Sequence, residues 1–140
     1  LNHLPGKLIP KKRLMPSGKH EKMRKKKVFA YGIEGSQFDP SPAHISQIYA
    51  LLGRKFALHD IDFAFHPEEV HLGEQGLLGQ VVLEAFYDED NRFLKVQVGA
   101  KTLYVALPKD AILPTGKEVH LVLEPDTLEV TDLNFGVRLL

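Results

Sequence analysis

The chain has 140 residues, 44% of them hydrophobic, with 18 Lys/Arg against 18 Asp/Glu and no cysteine. That length and apolar content suit one domain with a buried core and exclude a chain that is disordered throughout. The lack of cysteine excludes a disulfide scaffold, a thiolate metal site and a thiol nucleophile.

The zero net charge hides an asymmetry. Residues 1–27 carry ten Lys/Arg and one acid, Glu21, while the remainder carries eight basic and seventeen acidic residues, so the two parts are +9 and −9. Leu4 to Ile9 is a short apolar piece, with a first strand expected at Lys7-Leu8-Ile9. Residues 10–27 follow, holding Pro10, Pro16-Ser17-Gly18 and the run Lys25-Lys26-Lys27. They show no hydrophobic period, and like charges repel and resist burial. A mobile loop or a strongly solvated hairpin is expected there. Such a segment can lie against the acidic remainder or against an external polyanion, either nucleic acid or acidic lipid. It lacks the interleaved aromatics that stack single-stranded bases.

Val28 to Ile33, rich in aromatic and β-branched residues, predicts a strand, and Glu34 to Pro40 a loop. One helix is predicted over 42–52. Ser41 can cap it, Pro42 suits the first helical position, and Ile45, Ile48, Tyr49 and Leu52 form one apolar stripe for packing on a sheet. Gly53 ends it, with Arg54-Lys55 at its negative end.

Period two returns over 56–65, with Ile61, Phe63 and Phe65 facing one side and Asp60, Asp62 and Ala64 the other. Gly73 and Gly76 mark a loop, and Gly79 to Tyr87 reads as a long strand ending in the polar turn Asp88-Glu89-Asp90-Asn91. Leu94, Val96 and Val98 alternate with Lys95 and Gln97, Gly99-Ala100 is a two-residue turn, and Thr102 to Leu107 is the next strand. Val119, Leu121 and Leu123 alternate with polar neighbours, Pro125-Asp126 breaks, and Leu128-Glu129-Val130 closes the set. Short strands at this spacing predict a mainly β fold. An OB-like small β-barrel with one short helix is the natural candidate, because it closes its own edges.

Candidate chemistry is sparse. There is no phosphate loop, and Gly73, Gly76 and Gly79 precede a strand rather than a helix, so ATP binding by a P-loop is not expected. His66, Glu68, Glu69 and His71 are metal-ligand types, but Pro67 and the strand boundary turn them apart, and a polar strand-exit turn is the stronger reading. Asp60 and Asp62 share a face that reads as solvated rather than as an acid/base pair. Ser41, Ser46 and His44 lie on one helix with no third group, and His44 is expected to be exposed. No catalytic, cofactor or metal residue is assigned, and the chain is not read as an enzyme. No apolar run approaches the ~20 residues that span a bilayer, and the opening residues lack a charged-then-apolar organisation.

Four stretches resemble the C-terminal regulatory domain, with its transport-associated OB (TOBE) module, of the ATP-binding subunits of ABC importers of the maltose/sugar type. Leu1-Asn2-His3-Leu4-Pro5-Gly6-Lys7-Leu8 is similar to the family's "MNFLPGKV". Phe63-Ala64-Phe65-His66-Pro67-Glu68-Glu69-Val70-His71-Leu72 is similar to "VGIRPEDVHL", with His66 where the family has Arg. Gly79 to Phe86 resembles the strand that follows, and 116–132 resembles the closing "G-x-x-V-x-L-x-x-x-P-x-x-l-h-l-F-D". The match covers about half of the chain, in order. Segment 10–27 and the helix lie outside it, so the basic arm reads as an insertion into a single regulatory domain over 1–140.

The resemblance implies a non-catalytic control and dimerisation element that associates with a second ATPase subunit. It implies contact with transporter membrane subunits through an ATPase domain not contained in this chain, and a regulatory protein or small effector as a further partner. It implies a cytoplasmic place at the inner face of the membrane. A start at Leu rather than Met fits the expectation of a segment of something longer. The alternative reading is an OB-type nucleic-acid-binding module using the basic segment 7–27.

Overall fold

The computed structural model describes residues 1–17, 22–52, 59–88, 91–108, 110–112 and 116–140, the side chains of 13–17, 22–27, 84–88 and 91 excepted. Its strands are β1 Asn2–Ser17, β2 Lys22–Ile33, β3 Ser36–Phe38, β4 His59–Phe65, β5 Val70–Gly73, β6 Leu77–Asp88, β7 Asn91–Val98, β8 Lys101–Leu107, β9 Glu118–Leu123, β10 Glu129–Asp132 and β11 Val137–Arg138. The helix α1 runs Pro42–Leu52, and a 3-10 turn occupies Pro67–Glu69. The fold is mainly β with one short helix and a curled half-barrel sheet, compatible with an OB-like small barrel.

Two antiparallel sheets share one core. One has six strands in the order β11-β10-β4-β1-β2-β3, the other five in the order β5-β9-β6-β7-β8. In β4 the alternation does its expected work: Ile61, Phe63 and Phe65 are fully buried. Leu94, Val96 and Val98 of β7 and Leu103 and Val105 of β8 supply the facing wall. The register of β6 on β7 slips between Val81 and Leu83 and again between Leu83 and Phe86. Such bulges add twist and bend the strand. The curl brings β5 and the 3-10 turn close to β8, the far edge of the same sheet.

The helix begins where its sequence places it. The Ser41 carbonyl accepts from the Ile45 N–H at 3.0 Å, and its hydroxyl accepts from the His44 N–H at 3.4 Å. Ile48 is fully buried, and Ile45, Tyr49 and Leu52 pack against the core. The Tyr49 ring meets Phe29 edge-on with centroids 5.9 Å apart. The Gln47 amide donates to the Leu139 carbonyl at 3.2 Å, which ties the helix to the chain's last residues. The cap at Gly53, with Arg54 and Lys55, lies outside the described residues, as does the stretch before His59.

Several boundaries differ from the sequence reading. The first strand is far longer than Lys7–Ile9: β1 runs on through 10–17 and pairs antiparallel with 22–27 of β2, while 18–21 lie outside the described residues. The stretch from Glu34 to Pro40 is not simply a loop. Glu34 and Gly35 turn at φ 46° and 81°, and β3 pairs back on β2 through Tyr31–Phe38 and Ile33–Ser36. Two consecutive positive φ values make the tight turn whose twist matches antiparallel strands. A further short strand, β11, follows β10 through a turn containing Gly136 at φ 67°.

Candidate functional site

Each group singled out in the sequence has a local structural duty. The Glu69 carboxylate accepts from the His66 N–H at 2.8 Å, and the Glu69 N–H donates to the His66 carbonyl at 2.9 Å, so Glu69 closes the 3-10 turn. His71 faces Glu124, the residue just past the neighbouring β9, at 3.8 Å. The four residues form the expected polar turn rather than a convergent set. Among the described residues no group of three or more His, Asp or Glu could hold a metal ion.

Asp60 and Asp62 are each answered from β1. Asp62 Oδ2 lies 2.8 Å from His3 Nδ1, and Asp60 Oδ1 lies 3.9 Å from Lys7 Nζ. Each carboxylate thus has its own partner on β1, and the two are not drawn together as an acid/base pair. Ser41 is committed to capping α1. His44 is half-buried rather than exposed, and its Nδ1 is buried without a hydrogen-bond partner among the described residues. The reason is its spacing of one turn from Ile48, which brings it to the border of the apolar stripe.

Sequence reasoning missed a buried pair. Asp132 is fully buried on β10, with Oδ2 3.7 Å from Nδ1 of the mostly buried His59 on β4. Neither of those two atoms has a hydrogen-bond partner among the described residues. Asp132 Oδ1 accepts from the Asn134 N–H at 2.9 Å and so starts the turn to β11. His59 and Asp132 lie at the floor of a cavity of about 480 Å³ that Leu51, Leu52, Phe135, Val137 and Leu139 also line. The rim is apolar and open: Phe135 is 72% exposed, and Leu51 and Val137 are each about half exposed. An apolar rim of this kind suits a contact surface better than a catalytic cleft.

The basic segment forms a second surface. Among the described residues β1 pairs with β4 through Asn2–Leu8, and β2 with β3 through Tyr31–Ile33. Beyond them, among the described residues, the two strands pair with each other, through Lys12–Lys27, Arg13–Lys26, Leu14–Lys25, Met15–Arg24, Pro16–Met23 and Ser17–Lys22. Pro10 lies two residues past the last described β4 pair, Leu8–His59.

Neither a scan of protein-family models nor a search of curated proteins finds a match to this chain.

Proposed function

We propose that this chain is a non-catalytic regulatory and dimerisation domain of the ATP-binding subunit of an ABC importer, of the kind that moves sugars or related solutes. The supporting observation is where the four resembling stretches fall. Two of them join the two sheets, Asn2 on β1, which bonds to Tyr104 of β8, and the turn Pro67–Glu69 between β4 and β5, while Gly6, Gly79 and Asp132 sit at close contacts within a sheet. Close packing sets the glycines among them. A Cβ on Gly6 would meet Phe63 and the Gly32 carbonyl, and one on Gly79 would meet Val96.

On this reading the protein works mechanically. Its domain holds a second copy while the ATPase domains open and close, at the inner face of the membrane, and takes its signal from a regulatory protein or small effector. The apolar rim of Leu51, Phe135 and Val137 is the surface we assign to the second copy. Cysteine cross-linking tests it, because the chain has no cysteine of its own. A Phe135→Cys variant is expected to form a disulfide-linked dimer on mild oxidation, and a Gly116→Cys variant, on the connection before β9, is not. Equal cross-linking of both variants, or of neither, overturns the assignment.

A further inference from the structure

The Lys12–Lys27 ribbon is badly matched to the rest of its own chain. Like charges sit directly opposite at Lys12–Lys27 and Arg13–Lys26, and such cross-strand pairs destabilise a ribbon. From Lys12–Lys27 to Ser17–Lys22 the register advances five residues, about 17 Å at strand rise. That is roughly twice the ~8 Å Debye length at physiological salt. Residues 28–140 are net −9, and counter-charge for the ribbon's far end has to come from elsewhere. The same separation lets an acidic body stand off from an anionic surface that the ribbon touches.

We infer that the β1–β2 ribbon docks the protein on an anionic lipid surface. Residues 11–27 contain seven Lys and two Arg against one Glu. Clusters of four to eight such cations bind acidic headgroups, each contributing ~1 kcal/mol. Among the six outermost register pairs stand Leu14, Met15, Pro16 and Met23. Apolar residues set among lysines match the boundary between headgroups and acyl chains. The same segment has no Phe, Tyr or Trp, which leaves little to stack on single-stranded bases. No helix among the described residues is long and apolar enough to cross a membrane, and a ribbon lying at the headgroup level needs none. This inference rests on the ribbon alone and not on the transporter reading.

Vesicle co-sedimentation of the whole chain tests it, using neutral phosphatidylcholine vesicles and vesicles with added phosphatidylserine. Binding is expected to the anionic vesicles only and to weaken as salt rises. Changing Lys25, Lys26 and Lys27 together to Gln is expected to weaken it about a hundredfold, from the loss of three headgroup contacts. Leu14→Ser with Met15→Ser is expected to remove the part that persists at high salt. Circular dichroism checks that each variant keeps its sheets. No binding to anionic vesicles at low salt, or binding unchanged by both sets of substitutions, overturns the inference. So does tighter binding to a duplex oligonucleotide at a salt concentration where vesicles are released, which would assign the ribbon to nucleic acid.

Discussion

The side-chain amide of Asn2 pairs with the backbone of Tyr104 as a strand neighbour would. Its Nδ2 donates to the Tyr104 carbonyl at 2.8 Å, and its Oδ1 accepts from the Tyr104 N–H at 2.9 Å. Asn2 belongs to the six-stranded sheet and Tyr104 to the edge strand of the five-stranded one. One buried side chain thus clasps two sheets. Asn2→Ala removes both bonds and leaves two buried backbone groups unpaired, so a loss of about 2–3 kcal/mol is expected in urea unfolding. Asn2→Asp keeps the acceptor, loses the donor and brings in a charge, and it is expected to be no better tolerated.

Gly6 is required by closeness rather than by torsion. A Cβ there would lie 2.6 Å from the Gly32 carbonyl oxygen and would also meet the Phe63 ring. A backbone oxygen within a paired strand cannot step aside. Gly6→Ala should therefore lower stability by about 2 kcal/mol, the range for overpacking a tight site. Gly116→Ala, where a Cβ meets nothing within 4 Å, should be neutral or mildly stabilising. Paired thermal melts of the two variants check the contrast.

Tyr31 is fully buried, and its hydroxyl has no hydrogen-bond partner among the described residues. Its ring packs edge-on against Phe63 at 5.0 Å and near Phe38 at 5.2 Å. Burial pushes the phenol above its ordinary value, which is about 10. Above that value the folded state holds a proton that the unfolded state has released, so stability is lost as pH rises. Tyr31→Phe is expected to equal or exceed the parent protein by about 1 kcal/mol at neutral pH. It should also flatten the alkaline decline in unfolding free energy measured across pH 9 to 11.

The pair His59–Asp132 predicts a coupling. Asp132→Ala loses the Asn134 N–H bond and leaves His59 facing an apolar gap, for an expected cost of about 2–3 kcal/mol. Asp132→Asn retains an acceptor for Asn134 and should cost less. A double-mutant cycle with His59→Ala should give a coupling of about 1 kcal/mol by denaturant titration. A coupling near zero would mean that Asp132 acts only through its turn.

What the sequence made legible was local. The helix was readable because Ser41, Pro42 and the Ile45–Ile48–Tyr49–Leu52 stripe all agree, and β7 was readable because Leu94, Val96 and Val98 alternate cleanly. What it hid was either long-range or unusual. The Asn2–Tyr104 clasp spans 102 residues, and no spacing rule links such positions. Asp132 and His59 meet only because β10 and β4 are neighbours in the sheet. The turn at Glu34-Gly35 was missed because Glu seldom takes a positive φ. The ribbon carries no hydrophobic period to reveal its strands. Pro10, two residues past the last described β4 pair, was the available signal, and it became readable only with the register known.

Sedimentation equilibrium over a concentration series at moderate salt tests the central claim, that this is a self-associating regulatory domain. The proposal predicts a reversible dimer for the parent chain and a weakened one for Phe135→Asp, whose charge would sit on the assigned apolar rim. A monomer at every concentration would contradict it.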